Sequence, residues 1–422
     1  MMRIASFVCL LSLVATAVGQ VNHYPLAAAY TQPWELHDRL ADIAALRPDI
    51  VHIDTLGFSG TRGLPIVALR VSDNADRDEP AEPAILFCGS HQGEEVLGLE
   101  IVLHNARRLV EAYGVDAELT RLVNASEVWF VPVVCVEGWR WVAGGRYFLK
   151  RKNDTDSDWD GVFDLVLDGV DLNKNYPVFW EQDYHTAPHS DYYKGPWPAS
   201  EPETEAMMAF FERERPAMAL FYHSSATGAF SERIFFPWRL EQEDSPDWPT
   251  MCERANRLAA WLPRDYTPGF YEVFTGRNFP RGYARNYIYA AHRTYAFTIE
   301  VGGNVQLPTG EGAGVIHPPV EQLRRIEAKH WGACREALRM LHQNLVAIQV
   351  VNPAGEPLPG VRVSFPDWDD SPQFLPVRTN EDGRVFRYLP PERWVILVDN
   401  QTFWLDASLP EALIRLDPCQ PE

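Results

Sequence analysis

The sequence predicts an α/β fold, with a mixed, largely parallel sheet flanked by helices, followed by a small all-β sandwich. Three observations predict it. Short continuous apolar runs at residues 84–88, 128–134, 218–222 and 295–299 have the pattern of strands buried on both faces. Helical spacing at 34–46, 94–113, 203–213 and 324–345 alternates with them. From residue 346 the texture changes to short alternating strands separated by turn signals.

The chain begins with an address. Arg3 gives a positive start, residues 4–14 are almost wholly apolar, and Ala15-Thr16-Ala17 or Ala17-Val18-Gly19 offers a small-residue cleavage site. Residues 1–19 therefore read as a signal peptide, too short to span a bilayer comfortably. No later run is long and apolar enough to span one, so a secreted or periplasmic protein is expected. The formal net charge of -20 repels nucleic acid and anionic membranes, and both are excluded as partners. Once Cys9 leaves with the leader, five cysteines remain: Cys88, Cys135, Cys252, Cys334 and Cys419. An odd number leaves at least one free unless a partner chain takes it. None form a CxxC pair, which argues against a thiolate zinc site. A bridge between Cys252 and Cys334 is open.

Residues 51–53 and 64–71 add two strands before the first buried one. The α/β domain should run over 20–345, with the helix at 324–345 closing it. Residues 346–422 should hold an antiparallel sandwich, its strands at 346–351, 361–365, 385–388 and 394–398, with Asn352-Pro353-Ala354-Gly355 and Asn380-Glu381-Asp382-Gly383 as turns. Little chain separates the leader from the α/β domain, so no large pro-segment is expected between them.

Of 12 histidines, His91 begins an HxxE, His91-Gln92-Gly93-Glu94. By chance alone such a spacing should occur about once in a chain this rich in Glu. Position strengthens it. His91 follows the run 84–88 and Glu94 opens the next helix. Ligands collect outside the carboxyl ends of strands in open α/β sheets. A catalytic zinc takes three protein ligands and keeps one position open. His223, directly after the run 218–222, is the natural third. Glu300 ends the run 295–299 and can serve as general base.

These pieces, in this order, resemble the M14 zinc carboxypeptidases over roughly residues 24–342. Further segments match: Leu56-Gly57-Phe58-Ser59-Gly60-Thr61-Arg62-Gly63-Leu64-Pro65-Ile66, Gly169-Val170-Asp171-Leu172-Asn173-Lys174-Asn175-Tyr176-Pro177, Tyr193-Lys194-Gly195-Pro196, Ser200-Glu201-Pro202-Glu203-Thr204 and Phe297-Thr298-Ile299-Glu300. The resemblance implies zinc on His91, Glu94 and His223, with Glu300 as base and later proton donor. It gives Arg151 the scissile carbonyl and its oxyanion. Asp171 would orient His91. Asn173 and Lys174 would receive the C-terminal carboxylate of a peptide or protein substrate. Residues from 346 resemble the transthyretin-like sandwich of the family's regulatory branch.

Some positions depart from the family. Lys174 stands where arginine is usual, and lysine offers a point charge in place of a two-pronged grip. Gly93 replaces an arginine, and Cys135-Val136-Glu137-Gly138 replaces an Asn-Pro-Asp-Gly-like turn. Counting back from Glu300 puts Asn278 at the substrate-capping tyrosine, with Tyr271 and Tyr283 as candidates; a small insertion selects Tyr271. The same count puts Arg285 at the pocket floor. There it either favours acidic side chains or is an exposed arginine in a loop that also holds Arg277 and Arg281. Asp154, Asp156, Asp158 and Asp160 alternate before Gly161 and Asp164. This is either a calcium loop, using Asp156, Asp158, Asp160 and Asp164, or a solvated acidic loop. Besides a carboxypeptidase, the residues allow a cell-wall peptidase or deacylase on the same fold. A non-catalytic peptide-binding protein is the third reading, and it predicts loss of the base or of a ligand. Oligomeric state is left open.

Overall fold

The computed structural model describes residues 26–225, 230–240, 244–265, 267–277, 281–302, 316–366 and 368–416. The leader at 1–19, Asn278 and Cys419 lie outside them. Eight strands form one sheet: β1 (Val51–Phe58), β2 (Pro65–Val71), β3 (Ala84–Cys88), β4 (Glu127–Val131), β5 (Met218–Ser224), β6 (Arg233–Phe235), β7 (Glu272–Val273) and β8 (Tyr295–Val301), in the order β1-β2-β4-β3-β5-β8-β6-β7. The central strands β4, β3, β5 and β8 are mutually parallel, while β1, β2 and β6 join antiparallel. Every residue of β3 and β5 is buried, which is why their sequences are apolar without alternation.

Among the described residues eight helices cover the sheet: α1 (Leu36–Leu46), α2 (Val96–Ala112), α3 (Ala117–Val123), α4 (Val136–Ala143), α5 (Pro202–Glu214), α6 (Trp248–Ala259), α7 (Ala284–His292) and α8 (Val320–Leu341). The α2 and α8 helices bury apolar stripes at helical spacing, such as Leu99, Val102, Ala106 and Leu109 of α2. Pro132 stops β4 at Val131, short of the apolar run's end at residue 134, because a central strand needs every backbone donor. The thiols of Cys88, Cys135, Cys252 and Cys334 are all free, so the Cys252–Cys334 bridge does not form.

The C-terminal strands β9 (Leu345–Val351), β10 (Val363–Ser364), β11 (Arg384–Tyr388), β12 (Arg393–Val398), β13 (Gln401–Asp406) and β14 (Glu411–Arg415) make two three-stranded sheets, β10-β12-β13 and β11-β9-β14. They enclose a core of their own that includes Ile348, Phe365, Ile396 and Leu405. The expected antiparallel sandwich is corrected in one respect: β14 runs parallel to β9.

A buried polar seam joins this sandwich to the larger unit. Asp247 accepts hydrogen bonds from the Tyr289 hydroxyl (2.8 Å), the Tyr295 hydroxyl (2.9 Å) and the Trp368 indole (3.1 Å). The Arg387 guanidinium lies 3.4 Å from Asp247 and 3.5 Å from Asp369, and Asp369 pairs with Arg293 at 2.7 Å. The side chains of all four charged residues are at most 6 % exposed. Removing one member strands the opposite charge in the interior. Arg387→Ala should therefore cost about 3–5 kcal/mol of unfolding free energy. A shift of the denaturant midpoint corresponding to under about 1 kcal/mol, the worth of an exposed pair, would contradict this account.

Candidate active site

The parallel order of β3, β5 and β8 brings three chain segments to one edge of the sheet. They are the loop after Cys88, the end of β5 at His223 and Ser224, and the end of β8 at Glu300. His223 and Glu300 are register partners across β5 and β8, so they stand side by side.

The loop after β3 decides which of its side chains faces them. Gly93 makes the loop's path possible. A Cβ there would stand 2.3 Å from the Gly138 carbonyl carbon and 2.5 Å from the Trp139 nitrogen, at the start of α4. The Gly93 N–H donates to the Arg151 carbonyl at 3.0 Å, pinning the loop to the segment that carries Arg151. An arginine in this place, as the family carries, has no room.

His91 points into the core. It is fully buried, edge-on to Phe221 with ring centroids 5.5 Å apart. Its Nε2 meets the Tyr176 hydroxyl at 3.0 Å, and its Nδ1 lies 3.7 Å from Cys88 Sγ. Burial, reinforced by the neighbouring His223, depresses its pKa to about 3. Glu94 is also buried. One of its carboxylate oxygens accepts from Arg151 at 3.1 Å, and the other has no partner among the described residues.

The side chains that meet His223 are one residue further along the loop. His223 Nδ1 lies 2.7 Å from Gln92 Oε1 and 2.9 Å from Glu95 Oε2. Glu95 Oε2 also accepts the Ser224 N–H at 3.0 Å, and Glu95 Oε1 accepts from Arg151 at 2.9 Å. Gln92 donates to Asp171 Oδ1 at 2.9 Å, and Arg151 Nε donates to Asp171 Oδ2 at 2.9 Å. Arg151, Asp171, Gln92, His223 and Glu95 thus close a ring of hydrogen bonds.

This arrangement corrects two expectations. Asp171 braces Gln92, not His91, because His91 has turned to Tyr176 in the core. His91, Glu94 and His223 do not converge: among the described residues none of the three belongs to a group of three or more His, Asp, Glu or Cys residues whose ligand atoms lie within 4.8 Å of one another. The two-imidazole donor set expected for zinc is therefore not what gathers at the strand ends. A glutamine, a glutamate and a histidine gather there.

Glu300 sits beside this ring. Burial and the nearby Glu95 carboxylate raise its pKa, while His223, Arg151 and Arg285 oppose the rise. Asn173 and Lys174 lie on a single helical turn, Leu172–Lys174, which the Asp171 side chain caps by accepting the Asn173 N–H. Asn173 Nδ2 is 3.4 Å from His223 Nε2. The Lys174 ammonium is 3.7 Å from the buried Asp183 carboxylate and 3.4 Å from the Tyr283 hydroxyl. Lys174 is therefore already partnered.

Arg285 is no exposed loop arginine. It is buried in the first turn of α7, donates to the Thr298 hydroxyl at 3.1 Å and lies 4.3 Å from the Tyr283 ring centroid. Tyr271 does not reach this region as a capping residue. It is 3 % exposed and packs against Lys329 and His330 of α8. Tyr283 is the tyrosine near Lys174. Tyr192, which no motif singled out, lies over both cations, with its ring centroid 5.0 Å from the Arg151 guanidinium carbon and 5.7 Å from the Lys174 ammonium.

The acidic loop folds onto its own backbone. Asp156 accepts the N–H groups of Trp159 and Gly161, Asp160 that of Val162, and Asp164 those of Val166 and Leu167. The carboxylates that come within 4.8 Å of one another belong to Asp156, Asp158 and Asp168. Asp160 and Asp164 lie outside that group, so the four-aspartate calcium site is not assembled. Backbone capping has claimed the oxygens instead.

Comparison with known proteins agrees with this fold. The zinc carboxypeptidase family, Peptidase_M14, matches residues 36–333. Carboxypeptidase M of Mus musculus is 23% identical over 367 residues, covering 85% of this chain and 75% of its own. The carboxypeptidase N catalytic chain of Rattus norvegicus is 23% identical over 378 residues, covering 82% and 74%. Against carboxypeptidase A2 of Mus musculus, 26% identical over 237 residues, the match spans 56% of this chain and 53% of that one. Among solved structures, carboxypeptidase A from Helicoverpa armigera shares the fold at a TM-score of 0.62, with 20% identity over 74% of this chain and 73% of that one. Thrombin activatable fibrinolysis inhibitor does so at 0.60, with 20% identity over 74% and 77%. With the family matched over most of its length, and with the strand ends, Arg151 and Glu300 placed as described, this chain belongs to the zinc carboxypeptidase family and is a hydrolase of the metallocarboxypeptidase type.

Proposed function

We propose that the protein is exported by residues 1–19 and removes residues from the C-termini of peptides or proteins, with Glu300 as the general base. The register pairing of Glu300 with His223 at the end of two adjacent parallel strands carries this reading. Glu300 would take the proton of the attacking water and return it to the leaving amine. Arg151 would meet the oxyanion as charge develops on the carbonyl oxygen. Among the described residues no helix is long and apolar enough to cross a membrane.

The family implies zinc, and the expected His91–Glu94–His223 set is not assembled, so no step is assigned to the metal here. Lys174 and Tyr283 would receive the substrate's terminal carboxylate, with Asn173 beside them. Arg285, buried below Tyr283 and electrostatically coupled to Glu300, would meet the terminal side chain and favour acidic residues. The transthyretin-like reading of residues 346–422 rests on the two small sheets and their separate core.

Two predictions follow from this assignment. Glu300→Gln should lower kcat on blocked dipeptides about 10²–10⁴-fold, the usual worth of a positioned base. Hydrolysis that survives this change at wild-type rate would remove Glu300 from the chemistry. Arg285→Leu should abolish preference for C-terminal Glu or Asp and raise relative kcat/KM for Leu or Phe. A wild type that already prefers Arg or Lys at the terminus would refute the Arg285 assignment outright.

A further inference from the structure

We propose that Gln92, not His91, occupies the first metal-ligand place, so that the centre of this chain is a Gln92–Glu95–His223 set. The proposal rests on the carboxypeptidase reading above and changes its metal site.

Four observations carry it. Gln92 Oε1 and Glu95 Oε2 both lie within 3 Å of His223 Nδ1, a separation at which three lone pairs can face one cation. Gln92-Gly93-Glu94-Glu95 repeats the x-x-Glu spacing one residue on, directly before α2 begins at Val96. The outer brace expected of a ligand falls on Gln92. Asp171 can only accept, so the amide nitrogen must face it and the amide oxygen must face His223. Finally, Glu94, Glu95 and Asp171 share one guanidinium, Arg151, and Glu300, the register partner of His223, adds a further carboxylate. Negative charge in excess of its partners calls for a further cation.

His91 has the opposite setting. Its ring is spent on Tyr176, Cys88 and Phe221, on the core side of the loop.

The chemistry of such a set differs from that of two imidazoles and a carboxylate. An amide oxygen is a neutral, hard donor, and an oxygen-rich set leans toward Mn²⁺ relative to zinc. The ring through Arg151 and Asp171 makes those two residues positioning groups for the same centre.

The experiment uses the full chain and the metals alone. Zn²⁺ and Mn²⁺ affinities would be measured by chelator competition for wild type, Gln92→His, Gln92→Ala, Asp171→Asn and His91→Gln, with thermal unfolding of the metal-free forms as the check on folding. Gln92→His should tighten Zn²⁺ by about tenfold or more and raise the Zn²⁺ to Mn²⁺ preference. Asp171→Asn should weaken binding about 10–100-fold. Gln92→Ala should weaken it and His91→Gln should leave it where it was. Zn²⁺ affinity abolished by His91→Gln and untouched by both Gln92 variants would overturn the proposal. If His91→Gln does not fold, the Gln92 pair decides alone. Failure of the wider reading looks different: Zn²⁺ binding that follows Gln92, in an enzyme that hydrolyses no C-terminal peptide bond with either residue there, refutes carboxypeptidase activity and leaves the ligand assignment standing.

Discussion

The arrangement of the site depends on how much negative charge it buries around a single guanidinium. Arg151 pairs with Glu94, Glu95 and Asp171 within 3.1 Å, and these come from two separate segments of chain. A carboxylate removed from water without a partner costs several kcal/mol. The loop after β3 and the turn bearing Asp171 therefore cannot separate from Arg151 independently. Burial raises the pKa of Glu94 while Arg151 opposes the rise. Asp171, held by Arg151 and by the Gln92 amide, stays below the usual carboxylate range in spite of its burial.

Much of the frame was legible in the sequence. Strands β3, β4, β5 and β8 announce themselves because central parallel strands carry apolar residues on both faces. The short strands β6 and β7, of three and two residues, leave no such trace. Nor does α7, where Arg285 and Asn286 are buried among apolar residues and the helical stripe is blurred. Glu300 and His223 could be picked out because strand ends are visible, whereas Arg151, between Lys150 and Lys152, was singled out only by the family resemblance. The loop His91-Gln92-Gly93-Glu94-Glu95 could not be resolved, since it offers two overlapping spacings and the histidine attracts the choice. What settles the register is steric: Gly93 against Gly138, and the room for an imidazole beside Phe221. The signal was the second glutamate, Glu95, which makes the alternative spacing possible.

The specificity residues were less legible for a different reason. Lys174 meets Tyr283, more than a hundred residues away, and Tyr192 through cation–ring contacts, and Arg285 joins them through Tyr283. Such contacts have no sequence spacing. The pairing of Lys174 with Asp183 likewise joins the 171–174 turn to a loop whose sequence carries no motif. The acidic loop shows the converse: its alternating aspartates suggest an ion, and the backbone N–H groups of the loop satisfy them instead.

The four described cysteines carry a consequence for how the protein can be made and probed. None is cross-linked, and burial pushes the thiols of Cys88, Cys135 and Cys334 upward, away from the reactive thiolate. Those three stay silent toward alkylating reagents while the fold holds. Cys252, only partly covered on α6, is the reachable one. The described part of the fold therefore asks nothing of an oxidising compartment. It can be assembled in a reducing host and refolded with thiols kept reduced. A maleimide dye on Cys252 gives a reporter on the helix that starts beside Asp247, where the sandwich docks.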